Sequence, residues 1–223
     1  MEVVVSKPAE SISGHFDVIV VLDVIRASSN ILTLFSRGAD FVVPVESLDE
    51  AKKIKSENPD FILFGERNRV RPEGFDYGNS PTQNSRLELF QRKAIISTTN
   101  GTKAITNAVR KADEVWIGGF LNVGAIVNAL KRQNPEKVAL LAASGGDARK
   151  NEDELCAKYL KALMIGENVS FHEYKDHILN ERLKEKNLQS WFKADIEFCL
   201  QLNKYNFVPK VYSDLKYGNV IKI

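Results

Sequence analysis

The residues best suited to chemistry lie in one seventeen-residue stretch, residues 65–81 (GERNRVRPEGFDYGNSP). It holds three arginines, three carboxylates and three glycines. A connection this long is uncommon inside a compact domain and is usually either functional or disordered. Its two aromatic residues, Phe75 and Tyr77, argue against disorder. Fixed cations beside carboxylates suit an anionic substrate bound together with a hard metal ion. The alternative is a solvated surface loop.

Three other polar clusters also follow apolar runs that read as strands. They are Asp23 with Arg26, residues 98–102, and residues 144–153. In an open parallel sheet, ligands collect beyond the carboxyl ends of the strands. We therefore expect all four clusters to meet at one edge of the sheet.

Asp23 and Arg26 form the combination expected where an anion binds beside a metal. A guanidinium group is permanently charged, and its forked donors match phosphate or sulfonate oxygens. The alternative is that Asp23 caps the following helix and that Arg26 is solvated.

Residues 99–102 (TNGT) lie between a predicted strand and a predicted helix. Free backbone N–H groups and the positive end of the helix dipole make such a position an anion site. A polar turn with a threonine cap would have the same sequence, so the pattern leaves both interpretations open.

Glu152 and Asp153 open a helix after a polar loop that contains Gly145, Gly146 and Asp147. Acidic residues are favoured in the first turn of any helix, so capping explains them as well as metal binding does. Magnesium is typically held by one or two carboxylates, retained waters and substrate oxygens. The carboxylates available for it are Asp23, Glu66, Asp76, Glu152 and Asp153.

Several hydrolase mechanisms are excluded by sequence. Residues 23–25 lack the second aspartate of phosphatases that form an aspartyl-phosphate. Neither Cys156 nor Cys199 starts a Cys-x5-Arg loop, because Ala162 and Tyr205 stand where the arginine would be. There is no Gly-x-Ser-x-Gly elbow and no HExxH among the histidines.

The elements that must position these residues alternate between strands and helices of 10–15 residues. This alternation predicts an α/β fold, a mainly parallel sheet flanked by helices in a layered sandwich. We predict strands at 2–5, 17–22, 41–45, 61–64, 94–97, 115–117, 138–142 and 220–223. We predict helices at 26–35, 47–57, 82–92, 103–111, 121–132 and 152–164. Residues 1–223 are expected to form a single domain.

The last third is predicted to be a helical annex over residues 174–205. Its apolar stripe is interpreted as core packing, and a homo-oligomer interface that uses part of it stays open; the stripe consists of Leu183, Leu188, Phe192, Ile196 and Leu200. A rival hypothesis makes the chain a scaffold that binds a partner through this part. That hypothesis requires a large exposed apolar face over residues 183–200.

The composition limits the classes of partner that we expect for the chain. The 223 residues are 43% hydrophobic and 27% charged, with a formal net charge of +2. No bulk field therefore draws the chain to nucleic acid or to a membrane surface. Two well-separated cysteines suggest a reducing compartment, and we find neither a signal peptide nor a membrane-length apolar run. We expect a cytoplasmic protein whose partner is a small anionic phosphorylated substrate.

Taken together and in order, the motifs resemble those of the 2-phosphosulfolactate phosphatase family over about residues 18–209. The residues that carry the resemblance are 23–29 (DVIRASS), 65–67 (GER), 74–81 (GFDYGNSP), 98–102 (TTNGT), 152–153 (ED) with 156–157 (CA), and 195–199 (DIEFC). The chain departs from the family pattern at Asn68 and Lys158, where glycine is usual.

The resemblance implies a Mg²⁺-dependent phosphatase that hydrolyses 2-phospho-3-sulfolactate to 3-sulfolactate and phosphate, a step of coenzyme M biosynthesis in methanogens. We assign roles on this basis as hypotheses. Asp23 is the general acid or base and Arg26 the second catalytic residue. The substrate would be bound by Arg67, Asn79, Ser80, Thr99, Asn100, Gly101 and Thr102. The metal would be held by carboxylates from Glu66, Asp76, Glu152 or Asp153. Two alternatives are another phosphorylated hydroxy acid as substrate and a non-catalytic protein that binds small dianions.

Overall fold

The computed structural model describes residues 1–7, 12–144, 151–214 and 216–223. The predicted loop residues Gly145, Gly146 and Asp147 lie outside these ranges. The described strands are β1 (Glu2–Ser6), β2 (Phe16–Leu22), β3 (Phe41–Pro44), β4 (Ile62–Gly65), β5 (Tyr77–Gly78), β6 (Lys93–Ser97), β7 (Ala112–Gly118), β8 (Lys137–Ala142), β9 (Lys210–Asp214) and β10 (Gly218–Lys222). The described helices are α1 (Ala27–Ser36), α2 (Leu48–Glu57), α3 (Pro81–Asn84), α4 (Gly101–Val109), α5 (Val123–Gln133), α6 (Glu152–Met164), α7 (Phe171–Leu183) and α8 (Ser190–Cys199).

All ten described strands belong to one sheet, in the order β1-β8-β2-β7-β9-β10-β3-β6-β4-β5. One half, β1-β8-β2-β7, is parallel, and so is the other, β3-β6-β4-β5. The hairpin β9–β10 joins them through antiparallel pairs on both sides. The predicted α/β fold with a mainly parallel sheet is confirmed.

Because three antiparallel pairings separate β7 from β3, the two parallel halves run in opposite directions along the ladder. A twist of roughly 20–25° per strand accumulates to about 100–125° over the five steps from β2 to β6. Although the two halves run in opposite directions, this twist allows the carboxyl ends of β2 and β6 to lie on the same side of the molecule.

Strand β2 shows why the sheet is covered on both faces. Ile19 and Val21 pack into one core cluster with residues of α1 and α4. Val18, Val20 and Leu22 pack into a second cluster with residues of α5, α6 and α8. A near-continuous Val/Ile/Leu run is what a strand buried on two sides requires.

One sequence prediction about elements is wrong, and another is incomplete. The predicted helix at 82–92 is only the short α3, because the backbone N–H groups of Leu89 and Gln91 bond to the end of α1 at Arg37 and Gly38. The tail, predicted to add one strand at 220–223, forms the whole hairpin at the centre of the sheet.

The helical annex is confirmed as α7 and α8, and most of its apolar stripe is internal. Phe192, Ile196 and Leu200 are buried, Leu188 packs at the edge of the second cluster, and Leu183 is 44% exposed. The large exposed apolar face required by the scaffold hypothesis is not found on these residues. None of the described helices is both long and apolar enough to cross a membrane.

Candidate active site

A cavity of about 420 Å³ opens where polar segments following β2, β4, β6 and β8 meet the annex. The first three of these segments supply Asp23, Glu66 and Thr99, and the annex supplies Arg182 and Phe192. The remaining lining residues are Ile25, Arg26, Asn68, Arg69, Asn79, Thr98, Asn100, Ser144 and Glu152. The predicted convergence of the four clusters is therefore found among the described residues.

Asp23 lies directly after β2, against the start of α4. Its Oδ1 accepts a hydrogen bond from Ala27 N at 2.9 Å, so the side chain also caps the first turn of α1. A Cβ added at Gly101 would lie 2.5 Å from Ala27 Cβ and 2.8 Å from Asp23 Oδ2. Glycine at 101 is thus what lets α4 begin against this carboxyl group.

The pKa of Asp23 is raised from 3.8 to about 6. Burial is the largest cause, and the Glu152 and Glu66 carboxylates add to it, whereas the Ala27 N–H and Arg26 oppose it. A carboxyl group with a pKa near neutrality can give or take a proton under physiological conditions. Asp23 is therefore suited to the acid–base role predicted for it.

Glu66 ties the loop after β4 to the turn after β6. Its Oε1 accepts from Thr99 N and its Oε2 from Arg69 N, both at 2.8 Å. The side chain is buried and lines the cavity. Since a carboxylate offers about four lone-pair sites, Glu66 keeps acceptor capacity toward the cavity.

At the start of α6, Glu152 and Asp153 have different surroundings. The Glu152 carboxylate lines the cavity and pairs in a fork with the guanidinium of Arg182, including a 3.1 Å bond from Nε. Asp153 accepts from Val24 N at 2.7 Å and from both the N–H and the hydroxyl of Ser144. Burial raises the pKa of Asp153 well above its ordinary value, with Asp23 and Glu152 adding to the shift. Asp153 therefore braces the ends of β2 and β8.

Arg26 is held by Asp195, a residue of α8 that is completely buried. Arg26 Nη1 donates to Asp195 Oδ2 at 2.7 Å, while Asp195 Oδ1 accepts from Ser80 Oγ and from Thr82 N. The guanidinium also lies about 5 Å from the ring centroids of Trp191 and Phe192. Ser80 Oγ also accepts from Gln83 N, so Ser80 positions both Asp195 and the N-terminus of α3.

Arg69 belongs to a two-residue hairpin turn. Arg67 and Val70 exchange backbone hydrogen bonds, and the two residues between them, Asn68 and Arg69, have φ values of 51° and 69°. Turns of this kind favour asparagine and glycine because both tolerate positive φ. Asn68 therefore suits this turn.

The side chain of Arg69 crosses from this turn to the annex. It forms two bonds with Glu185, at 2.5 and 3.0 Å, and its guanidinium lies 4.4 Å from the ring centroid of Phe192. Exposed ion pairs contribute only about 0–1 kcal/mol, whereas breaking a buried pair costs about 3–5 kcal/mol. Of the three guanidinium groups that line the cavity in the described structure, Arg69 therefore has the partner that is easiest to displace.

The turn after β6 offers fewer free donors than its sequence suggests. Thr99 N is taken by Glu66, and Thr102 N donates to Thr98 Oγ1 at 3.2 Å. The N–H groups of Asn100 and Gly101 have no acceptor among the described residues. These two groups, at the N-terminus of α4, are the part of the predicted anion cradle that is open to a ligand.

Six predicted site residues do not line the cavity: Arg67, Asp76, Ser80, Gly101, Thr102 and Asp153. Arg67 donates to Glu46 O and to Ser97 Oγ, which brings together the ends of β3, β4 and β6. Asp76 accepts from Leu63 N at 2.8 Å and pairs with Lys55. Its carboxylate is thereby committed to the N-terminal side of β4, away from the other carboxylates.

The residues that remain fit a magnesium ion with few protein ligands. Asp23, Glu66 and Glu152 line one cavity, and the pKa of Asp23 is raised mainly by burial and further by repulsion from the other two carboxylates. A cation would relieve that repulsion. The buried Oδ1 of Asn79, a further hard oxygen, has no partner in the described structure. No group of three acidic, histidine or cysteine side chains among those residues forms a preformed metal site. One or two carboxylates, completed by waters and substrate oxygens, are usual for Mg²⁺.

Comparison with known proteins identifies the family. The sequence profile described as 2-phosphosulpholactate phosphatase matches residues 5–214. The chain belongs to the 2-phosphosulfolactate phosphatase family. A relative from Thermotoga petrophila, called "Probable 2-phosphosulfolactate phosphatase", is 34% identical over 203 residues, which cover 85% of this chain and 87% of the relative. A protein of the same name from Symbiobacterium thermophilum is 40% identical over 161 residues, or 71% of this chain and 67% of the relative.

Membership of the 2-phosphosulfolactate phosphatase family confirms the resemblance inferred from the motifs. Seven lining residues were not among the predicted site residues: Ile25, Asn68, Arg69, Thr98, Ser144, Arg182 and Phe192. Asp195, which positions Arg26, was also missed. A sequence signal existed for the last of these, because Asp195 falls three residues after Phe192 and four before Cys199, on the buried face of α8. An acidic residue on an apolar helix face requires a partner.

Proposed function

We propose that the chain is a magnesium-dependent phosphomonoester hydrolase that converts 2-phospho-3-sulfolactate to 3-sulfolactate and phosphate. The single observation that carries the proposal is the cavity itself. Asp23, with a pKa near 6, shares it with the open N-terminus of α4 and with the guanidinium groups of Arg26 and Arg69. Membership of the phosphatase family supports the same reaction class.

The substrate's phosphate is proposed to lie at the N-terminus of α4. There the N–H groups of Asn100 and Gly101 point out of the helix, and hydrogen bonds to charge that develops in the transition state lower the barrier. The Asn79 side chain, whose buried Oδ1 has no partner among the described residues, would orient the substrate or its attacking water. Arg26, fixed by Asp195, would add positive charge close to Asp23.

The reaction we propose is direct attack by water. An oxygen–phosphorus bond forms to water as the bond from phosphorus to the substrate's C2 oxygen breaks, and Asp23 transfers a proton as general acid or base. Thiol nucleophiles are disfavoured, because burial raises the pKa of both Cys156 and Cys199 and so suppresses the thiolate.

Magnesium, held by Glu66 and Glu152, would neutralise phosphate charge and orient the water. Asp153 and Asp76, the other carboxylates predicted to bind it, are proposed to act structurally, through the donors they already accept. If the substrate is sulfolactate phosphate, the reaction belongs to sulfolactate metabolism, and to coenzyme M biosynthesis where that cofactor is made.

The test is phosphate release from a panel of phosphorylated hydroxy acids, with Mg²⁺ and with EDTA. We expect turnover only with the metal, and the highest kcat/KM for 2-phospho-3-sulfolactate. Preference for another member of the panel would keep the reaction class and change the substrate. Binding of the panel without turnover would identify a dianion-binding protein instead.

A further inference from the structure

Among the described residues, the three guanidinium groups that line the cavity differ in how exposed their ion-pair partners are. Arg26 pairs with Asp195 and Arg182 with Glu152, and all four side chains are almost completely buried. Arg69 pairs with Glu185 at the mouth, where the two side chains are 34% and 38% exposed. A ligand anion can replace Glu185 without leaving a carboxylate buried and unpaired, which is not true of the other two partners.

The backbone of Arg69 is fixed by hydrogen bonds and has a positive φ. Its N–H donates to Glu66, and its carbonyl accepts from Arg26 Nη2 at 3.3 Å. Its φ of 69° lies in the left-handed region, at a turn position where glycine is the usual residue. An unfavourable backbone conformation that the surroundings hold in place points to a functional side chain.

Phe192 then fixes the direction in which this side chain extends. The ring is buried, lines the cavity and lies 4.4 Å beneath the Arg69 guanidinium. Stacking on an aromatic face leaves the forked N–H donors of arginine free in the plane of the guanidinium, where they match a sulfonate or carboxylate.

We propose that Arg69 determines specificity by binding the substrate's second oxyanion, its sulfonate or carboxylate, and that Glu185 occupies this guanidinium until substrate displaces it. The inference rests on the proposed function, since it concerns the part of the substrate that is not transferred. The cavity then has two ends: the phosphate binds at the N-terminus of α4, and the second anion binds between the turn that contains Arg69 and the annex.

The experiment compares kcat/KM for three substrates with Mg²⁺: 2-phospho-3-sulfolactate, 2-phospholactate, which lacks the sulfonate, and 4-nitrophenyl phosphate, which lacks both anions. Charge-assisted hydrogen bonds of this kind correspond to about 10- to 100-fold, so Arg69→Gln should lose that factor on substrates carrying the recognised anion. The loss on 4-nitrophenyl phosphate should be at least tenfold smaller. A loss in Arg69→Gln on 2-phospho-3-sulfolactate alone assigns the sulfonate to Arg69. An equal loss on 2-phospholactate assigns the carboxylate.

Arg71→Gln is the matched control, because Arg71 lies in the same loop but donates to Asp76 O and does not line the cavity. Glu185→Gln should lower KM for the anionic substrates by up to about fivefold, as expected for release of an exposed pair. Equal losses on all three substrates in Arg69→Gln would overturn the inference, as would an unchanged or raised KM in Glu185→Gln.

Calorimetric titration separates this inference from the proposed reaction. 3-Sulfolactate and lactate carry no phosphate, so their binding can be measured without turnover. Arg69→Gln should weaken the binding of 3-sulfolactate by about tenfold or more relative to Arg71→Gln. If the wild type hydrolyses none of the three phosphates, the proposed function fails, and this titration alone decides whether Arg69 recognises the anion. Equal affinity of both variants for 3-sulfolactate would then reject the specificity role.

Discussion

Asp195 and Arg26 are 169 residues apart in sequence, yet their side chains form a 2.7 Å ion pair that is almost completely buried. The pair joins the annex to the loop after β2. It makes the position of one cavity guanidinium dependent on a helix that sequence analysis interpreted mainly as core. Removing one partner leaves a buried charge alone, whereas removing both does not.

This relationship gives a stability prediction. Arg26→Gln and Asp195→Asn should each destabilise the fold by about 3–5 kcal/mol, and the double variant by clearly less than their sum. Urea unfolding of the four proteins measures the coupling, with exposed Glu197→Gln in the same helix as control. Additive losses would show that the pair is not energetically coupled. Both single variants should also lose most phosphate release.

Asp23→Asn should separate stability from activity. A carboxyl group whose pKa is higher in the folded than in the unfolded state stabilises the fold in acid, and this contribution is lost as the pH rises through the folded pKa. For Asp23 that window runs from about pH 4 to pH 6. At pH 7.5 without metal, Asp23→Asn should therefore be more stable than wild type by up to about 3 kcal/mol.

The measurement is urea unfolding in EDTA at pH 4.5 and pH 7.5. The advantage of Asp23→Asn should shrink at the lower pH, and a pH-independent difference would contradict the raised pKa. With Mg²⁺ present, turnover should fall by about 10²- to 10⁴-fold, as for loss of a general acid or base.

Magnesium activation should distinguish Glu66 from Asp76. Glu66→Gln should raise the Mg²⁺ concentration for half-maximal activity by about tenfold or more, because it removes a charge that lines the cavity. Asp76→Asn, the matched carboxylate-to-amide change, should leave that concentration unaltered, since Asp76 pairs with Lys55 outside the cavity. An equal effect of both changes would show that metal affinity follows overall charge alone.

Gly101→Ala tests the close approach of α4 to Asp23. The added methyl group would meet Ala27 Cβ at 2.5 Å, and overpacking of this kind costs about 1–3 kcal/mol. Turnover should fall together with thermal stability. Gly119→Ala is the control, because a Cβ there meets no atom within 4 Å. Wild-type turnover in Gly101→Ala would show that this contact does not shape the site.

The sequence predicted most of the fold because its strands are apolar runs that end in polar residues. The wrong helix at 82–92 has helical composition, but it bonds to Arg37 and Gly38, which no local pattern reveals. The central place of β9 and β10 is equally a long-range outcome. Within the cavity, Asp23, Glu66 and Asn100 were predictable from strand ends.

The annex contributions could not be located from those strand ends, because packing between distant helices decides which side chains reach the cavity. Arg182 follows Ile178 by four residues on the buried face of α7, whereas the sequence pattern placed the neighbouring Leu183 on that face and did not predict the partner Glu152. Arg67 and Arg69 were indistinguishable by type. The turn at Asn68 and Arg69 directs the Arg67 side chain toward the strands and the Arg69 side chain toward the annex.

The hairpin that joins the two parallel halves carries a consequence for how the chain is made. During synthesis, all the other described strands leave the ribosome before β9 and β10 do. Until then β3 and β7 present open edges that invite pairing with another nascent chain. The hairpin therefore completes the sheet last. A translation product that ends after α8 would contain both parallel halves, with their active-site residues, but would lack the strands that join them.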